Sequence, residues 1–348
     1  MNKNAVVLIP CYNPDEKIMN TFIEELGSVY QNIVFVNDGC SKEHDTYFKK
    51  LEKKYPVIKH YKNYGKGRGI KNGLNYILNN YPDCKAIITA DCDGQHSIQD
   101  ITKVFKATLK NPKALILGTR NFDDENVPFK SRYGNKITRN IFKIFVGLSI
   151  SDTQTGLRGM SKNVAEEMLT ISGERYEYET NVLIACKTEE IPIVEVPIET
   201  IYIEENRTSH FNPIKDSIMI YKLFIKYIIV ALSSFFIDIL LFSLFLIAYD
   251  KIGITKPIIA ATVTARVLSS IYNYLINAKL VFKKMNKLSI FKYFLLVFVQ
   301  MWVSAFAVSW ICKVVPINPV LLKIIVDTFI FVVNFIIQRE FIFNKKDL

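Results

Sequence analysis

Two carboxylates one residue apart, Asp91 and Asp93, directly follow the apolar run Ala86–Ala90 in this 348-residue chain. Side by side at the end of a buried strand such groups repel, and a divalent cation is the natural remedy. Hard oxygen donors suit Mg²⁺ or Mn²⁺, which in turn can grip a diphosphate. A third acid, Asp38, closes the stretch Val36-Asn37-Asp38-Gly39, either as a ligand-binding group or as the cap of an Asp-Gly turn. The stretch Tyr64-Gly65-Lys66-Gly67-Arg68-Gly69 is neither a Walker-type loop nor a glycine fingerprint following a strand. It reads as a flexible basic loop ahead of a helix, fit to approach a phosphate or to be an ordinary turn.

These groups need a scaffold. Residues 5–9 (AVVLI) form a continuous apolar run ended by Pro10-Cys11-Tyr12-Asn13-Pro14, and Ile33–Val36, Val57–His60 and Ala86–Ala90 repeat the pattern. Helices are predicted near Lys17–Gly27, Asp45–Lys54 and Gly69–Asn80. Strands alternating with helices predict an α/β fold with a mostly parallel, Rossmann-like sheet that binds ligands at the carboxyl ends of its strands.

Half of the residues are hydrophobic and 22% are charged, with a mean hydropathy of +0.16. That excludes a disordered chain, a collagen-like repeat and a small disulfide-stapled domain. The net charge of +11 is unevenly spread: Lys and Arg outnumber Asp and Glu by only 29 to 28 over residues 1–221, but by 15 to 5 over residues 222–348. The excess lies in the most apolar third, which predicts a basic membrane rim and no nucleic-acid partner. The six cysteines form no CxxC pair, as expected of reduced thiols in the cytosol. The start, MNKNAVVLIP, lacks the apolar length and cleavage site of a signal peptide, so the first domain is expected to stay cytosolic.

Four apolar stretches follow, Tyr227–Tyr249, Pro257–Phe282, Ile290–Cys312 and Pro319–Phe343. Each is near or above the ~20 residues that cross a bilayer as a helix. Basic residues gather at one set of ends, Lys222, Lys226, Lys279, Lys283 and Lys284 among them. The positive-inside rule then predicts a multi-pass protein of the cytoplasmic membrane with both termini and residues 1–221 in the cytosol. Asn273–Phe282 aligns with Asn334–Phe343 at an offset of 61, the sign of a duplicated helical hairpin. Arg266 and Asp327 take equivalent places in the repeat, and Asp238 lies inside the first span. Such groups are expected to face one another or a polar cavity. Tyr133–Ile150 mixes Ile137, Phe142 and Phe145 with Lys136, Arg139 and Lys143, an amphipathic helix for the membrane interface or for the first domain's own core.

In order and spacing, I-P-C-Y-N-P, V-N-D-G, G-K-G-R-G and D-C-D-G-Q resemble glycosyltransferase family 2. The resemblance is to the polyprenyl-phosphate hexose synthases, of the dolichyl-phosphate mannose synthase and bactoprenol glucosyltransferase types. Gly118-Thr119-Arg120, Ser131–Asn135, Asp152–Arg158, Tyr176–Glu179 and Arg207–Phe211 extend it, and the repeated tail resembles the GtrA-like membrane domain. It implies a GT-A catalytic domain over residues 1–221 and a four-helix transmembrane domain over residues 222–348.

It also implies roles. Pro10, Tyr12, Asn13, Glu16, Asp38, Lys66, Arg68 and Asp91 would bind the nucleotide sugar, UDP-glucose or GDP-mannose. Asp91, Asp93 and Gln95 would hold Mg²⁺ or Mn²⁺, and Asp93, Asp152 and Arg120 would serve catalysis. A polyprenyl phosphate, largely ionised with a second pKa of about 6, needs cations more than a base. Arg120, Arg132, Arg158 and Arg207 supply guanidinium groups at motif positions, with Ser131 and His210 nearby. The chain departs from the family's Gly-x-Ser-Lys after Arg207, carrying Thr208-Ser209-His210, so His210 either replaces the lysine or packs. The reaction implied is inverting hexose transfer to the lipid phosphate, with room for a homo-oligomer. The rival readings are transfer to another membrane lipid and a nucleotide-binding carrier of lipid-linked sugar. Trp302 and Trp310 form no Gln-x-x-Arg-Trp motif of the processive synthases.

Overall fold

A computed structural model describes residues 2–122, 129–199, 222–255, 257–281, 287–314 and 319–342. The chain divides into two compact units, Met1–Ile220 and Tyr221–Leu348.

In the first unit, β1 (Asn2–Cys11), α1 (Glu16–Val29), β2 (Tyr30–Asn37), α2 (Asp45–Leu51), β3 (Val57–Lys59), α3 (Lys66–Asn80) and β4 (Ala86–Thr89) alternate as their apolar runs predict. They continue into α4 (Ile98–Lys110), β5 (Leu115–Arg120), α5 (Phe129–Ile141), β6 (Arg158–Met160), α6 (Lys162–Leu169), α7 (Glu177–Thr188) and β7 (Ile193–Ile198). The described strands form one sheet in the order β3-β2-β1-β4-β6-β5-β7. All pairings are parallel except those of β6, which runs antiparallel to both β4 and β5.

Successive side chains of a strand face opposite ways, so β1 feeds two cores. Ala5, Val7 and Ile9 pack with Met19, Leu26 and Val104 of α1 and α4, whereas Val6 and Leu8 pack with Ile70, Leu74 and Ile77 of α3. Burial on both faces explains why β1 reads as an unbroken apolar run. Asp15 caps α1 by accepting from the backbone of Lys17 (2.9 Å) and Ile18 (3.1 Å).

The expected loop Tyr64–Gly69 is not one: α3 begins at Lys66, inside the glycine-rich stretch. Gly65, at φ +103°, turns the chain into the helix, and the backbone N–H groups of Tyr64 and Gly65 donate to the Asp38 carboxylate at 2.9 and 2.8 Å. Arg68 N–H also donates to the carbonyl of Glu174 at 2.8 Å. Lys66 and Arg68 are therefore fixed on a helical turn. The amphipathic segment ends in a π-turn, Phe142–Val146, whose Phe142 is buried in the α3-side core, while Tyr133 and Ile137 stay exposed on α5.

The second unit contains α8 (Lys222–Ile252), α9 (Pro257–Ile276), α10 (Lys287–Val314) and α11 (Pro319–Ile337) among its described residues. One helix there, over Ile225–Ile252, is long and apolar enough to cross a membrane. Both α9 and α11 run on into π-turns, Asn277–Val281 and Gln338–Ile342, which sit at the 61-residue offset of the sequence repeat. Asp238 accepts a hydrogen bond from Ser269 Oγ at 2.7 Å and pairs with Arg266 at 3.4 Å. The Asp327 side chain lies outside the described residues.

Candidate active site

A cavity of about 550 Å³ opens at the carboxyl ends of the central strands. Pro10 and Tyr12 reach it from the end of β1, Asp38 from the end of β2, Lys66 from the first turn of α3, and Asp91 and Asp93 from the loop after β4. These six positions follow from the topology, since adjacent parallel strands deliver their C-terminal residues to one edge. Asn63, Arg175 and Tyr176 complete the far wall.

Lys66 Nζ lies 2.7 Å from Asp91 Oδ1 and 3.0 Å from Glu179 Oε1. His96 Nε2 stands 3.6 Å from Asp91 Oδ2. Burial alone would raise the Asp91 pKa, but the charge of Lys66 and the contact with His96 outweigh it and hold the carboxyl well below the usual carboxylate range. Among the described residues no ammonium pairs directly with Asp93. Its Oδ1 accepts from the backbone N–H of Gln95 at 3.0 Å, and burial followed by the Asp91 charge pushes its pKa up. For Lys66 burial would lower the pKa, and the charges of Asp91 and Glu179 reverse this and raise it. The site thus has one carboxylate paired directly with an ammonium and one held by a backbone N–H.

Behind Asp91 runs the backbone of Gly156, so close that a Cβ there would lie 2.6 Å from Asp91 Cγ. Thr89 Oγ1 donates to the Gly156 carbonyl at 2.9 Å and fixes this approach. Only a glycine leaves the carboxylate its place.

Among the described residues no group of three or more His, Cys, Asp or Glu side chains is arranged to hold a metal ion. Two carboxylates lining an open cavity nevertheless fit Mg²⁺ or Mn²⁺, because such ions keep positions for water and substrate phosphates and seldom sit in all-protein cages. Gln95 does not line the cavity; it is tied to Asp93 through its backbone N–H.

Other expected residues serve the frame. Asp38 is 2% exposed and also pairs with His60 Nδ1 at 2.6 Å, with His60 Nε2 against Asn72 at 2.9 Å. It anchors the Tyr64–Gly65 turn as well as lining the cavity. Asn13, at φ 45°, accepts from Ser41 N–H at 2.8 Å and knits the first two strand-end loops together. Glu16 pairs with His44 at 3.0 Å and Arg68 pairs with Glu174; neither lines the cavity.

The expected acceptor set is divided by the structure. Arg120, at the end of β5, donates through Nε and Nη2 to the two oxygens of Asp152 at 2.7 and 3.2 Å. Asp152 is fully buried and also accepts from Gln154 N–H at 3.1 Å. With its oxygens taken by Arg120 and the Gln154 N–H, Asp152 orients the guanidinium. Arg158, expected at the acceptor phosphate, is engaged within the fold. At 4% exposure its Nε donates to the Thr155 carbonyl at 3.0 Å and its Nη1 to the Glu179 carbonyl at 2.9 Å, so it braces two segments. Arg132 is partly buried on α5, and Ser131 falls in the same helix. Arg207 and His210 lie outside the described residues.

His96, Arg175, Tyr176 and Glu179 were not singled out for a role by sequence. His96 follows D-C-D-G-Q directly, and Tyr176–Glu179 is a motif of the resemblance, so a signal was present without a partner to interpret it.

A mostly parallel sheet with a carboxylate-lined cavity at its strand ends is an α/β domain of the GT-A class. Residues 6–169 match glycosyl transferase family 2, and residues 225–343 match the GtrA/DPMS transmembrane domain. An uncharacterised protein of Methanocaldococcus jannaschii is 31% identical over 233 residues, covering 65% of this chain and 93% of its own. The UDP-N-acetylglucosamine–dolichyl-phosphate N-acetylglucosaminyltransferase of Methanococcus voltae is 30% identical, covering 58% and 88%. A dolichyl-phosphate β-glucosyltransferase of Saccharomyces cerevisiae is 27% identical, covering 55% and 65%. The chain belongs to glycosyltransferase family 2 and is a glycosyltransferase joined to a GtrA-type membrane domain.

Proposed function

We propose that this enzyme transfers a hexose from a nucleotide sugar to a polyprenyl phosphate, with inversion and with the help of Mg²⁺ or Mn²⁺. The observation that carries the reading is the pair Asp91 and Asp93 beside Lys66 in the strand-end cavity. Pro10 and Tyr12 form the wall suited to the base and ribose, with Asp38 holding the turn that presents Lys66. A divalent ion on Asp91 and Asp93 would neutralise the diphosphate as negative charge grows on it. Lys66 adds a second cation on the leaving-group side.

On the acceptor side an ionised phosphate oxygen attacks the anomeric carbon opposite the departing diphosphate, and a single displacement inverts that centre. Arg120, held in one orientation by Asp152, is the group suited to bind the acceptor phosphate. The lipid acceptor agrees with the relatives from Methanococcus voltae and Saccharomyces cerevisiae, both named as dolichyl-phosphate transferases. We place residues 1–221 and both termini on the cytosolic side of the cell membrane, with residues 222–348 as the anchor, because the basic residues collect at that set of helix ends.

The test is transfer by the purified full-length protein in detergent, with undecaprenyl and dolichyl phosphate offered against labelled UDP-glucose, UDP-N-acetylglucosamine and GDP-mannose. One donor is expected to give a lipid-extractable product whose sugar has the opposite anomeric configuration. Product on a diacylglycerol lipid instead, or nucleotide binding without transfer, would favour the alternative acceptor or the carrier.

A further inference from the structure

Lys66 occupies the place where a metal ion and its own charge contend for one carboxylate. Its Nζ is 2.7 Å from Asp91 Oδ1, and Glu179 Oε1, at 3.0 Å, holds it from the other side. The pairing is enclosed: the side chains of Lys66 and Glu179 are 18% and 9% exposed. Glu179 is fixed in turn, since its carbonyl accepts from the buried Arg158. The stem of Lys66 rises from the turn that Asp38 pins through Tyr64 and Gly65. These contacts keep the ammonium on Asp91, while among the described residues Asp93 accepts from one donor, the backbone N–H of Gln95.

We propose that Lys66, positioned by Glu179, is a resident counter-ion that occupies Asp91 in the nucleotide-free enzyme, so that a divalent cation binds poorly alone and well together with a nucleoside diphosphate. The diphosphate supplies the negative charge that draws Lys66 off Asp91, and the vacated oxygen then serves the metal. Metal and nucleotide become mutually dependent ligands, and by linkage each strengthens the other by the same factor. The inference rests on the metal-dependent, nucleotide-sugar reading above and adds to it a role for Lys66 before the nucleotide arrives, with Glu179 as its positioning residue.

The experiment is a titration of full-length protein in detergent with Mn²⁺, free ion being read by electron paramagnetic resonance, with and without UDP or GDP. Wild-type protein is expected to bind Mn²⁺ weakly alone and much more tightly with one of the nucleotides. Removing a unit charge a few ångströms from the ion in Lys66→Met or Lys66→Gln should tighten binding of Mn²⁺ alone by roughly tenfold or more. The gain from nucleotide should shrink by the same factor. Lys66→Arg, which keeps the charge, should stay close to wild type. Two neutral variants guard against one that misfolds, and thermal unfolding selects those that retain the native transition. Mn²⁺ affinity of both neutral variants equal to or below that of wild type, with the nucleotide effect intact, would overturn the inference alone. Nucleotide binding with no Mn²⁺ uptake in any protein would instead overturn the metal-dependent reading on which it stands.

Discussion

Replacing Gly156 by alanine should silence the enzyme without loosening its fold. The Gly156 backbone is not among the glycines at positive φ, so a side chain there meets no conformational penalty, only Asp91. The added Cβ would lie 2.6 Å from both Asp91 Cγ and Oδ1, where ordinary contact begins near 3.4 Å. Asp91 Oδ2 would be nearer still, so one partner must give by more than about 1 Å. The glycine cannot retreat easily, because Thr89 holds its carbonyl at 2.9 Å. The carboxylate is tied to Lys66 at 2.7 Å but is the softer of the two. A displacement of that size in a substrate-positioning group costs on the order of 10²-fold in turnover, equivalent to about 3 kcal/mol in the barrier. The assay is sugar transfer by Gly156→Ala beside Gly134→Ala, whose Cβ would meet nothing within 4 Å on α5. The control should keep full activity and gain up to about 1 kcal/mol of stability from better helix propensity. Gly156→Ala with wild-type turnover would refute the claim that Asp91 must stand where the structure places it.

Arg158→Met should leave two backbone carbonyls, of Thr155 and Glu179, without their buried donor. At ~1–3 kcal/mol for a buried group left unsatisfied the melting temperature should fall by several degrees, while KM for the lipid phosphate of surviving protein stays unchanged. A raised KM at unchanged melting temperature would return Arg158 to the acceptor site. Asp152→Asn and Arg120→Ala should be non-additive, because the carboxylate acts only through the guanidinium it holds; activity losses that multiply in the double variant would show Asp152 touching substrate itself. Burial pushes the Cys40 thiol up to about 11, partly offset by the Asn13 N–H. A raised pKa means less thiolate at any pH below it, so alkylation of Cys40 at pH 8 should run roughly 100-fold slower than that of an ordinary thiol and quicken as pH rises toward 11. Peptide mass spectrometry after timed iodoacetamide treatment reads this, and rapid labelling at pH 8 would contradict the packing around the first two strand-end loops.

The central strands were legible because their signal is local: AVVLI is apolar on both faces, and the acids after Ile33–Val36 and after Ala86–Ala90 follow from chain order alone. The strand-end cavity was legible for the same reason. What sequence could not convey is which charged groups satisfy one another across the fold. Lys66 and Glu179 are far apart in the chain and meet because α3 and α7 lie on the same side of the sheet. Arg158 looked like a phosphate ligand because a lone arginine carries no mark of burial. It became a brace once β6 slotted antiparallel between β4 and β5, a non-local pairing that no periodicity announces. Glycine disfavours helix, so the glycine-rich stretch reads as a loop; the positive φ of Gly65 and the capture of two N–H groups by Asp38 start the helix there regardless.

The central claim is that Asp91 and Asp93 hold a divalent ion against a nucleotide sugar for transfer to a lipid phosphate. Its most direct test is initial-rate transfer of labelled sugar to polyprenyl phosphate by wild-type protein and Asp93→Asn, each with Mn²⁺ and with EDTA. The account predicts product only from the wild type with metal, with Asp93→Asn at least about 10²-fold slower and of unchanged melting temperature. Equal rates with EDTA, or full activity of Asp93→Asn, would contradict it.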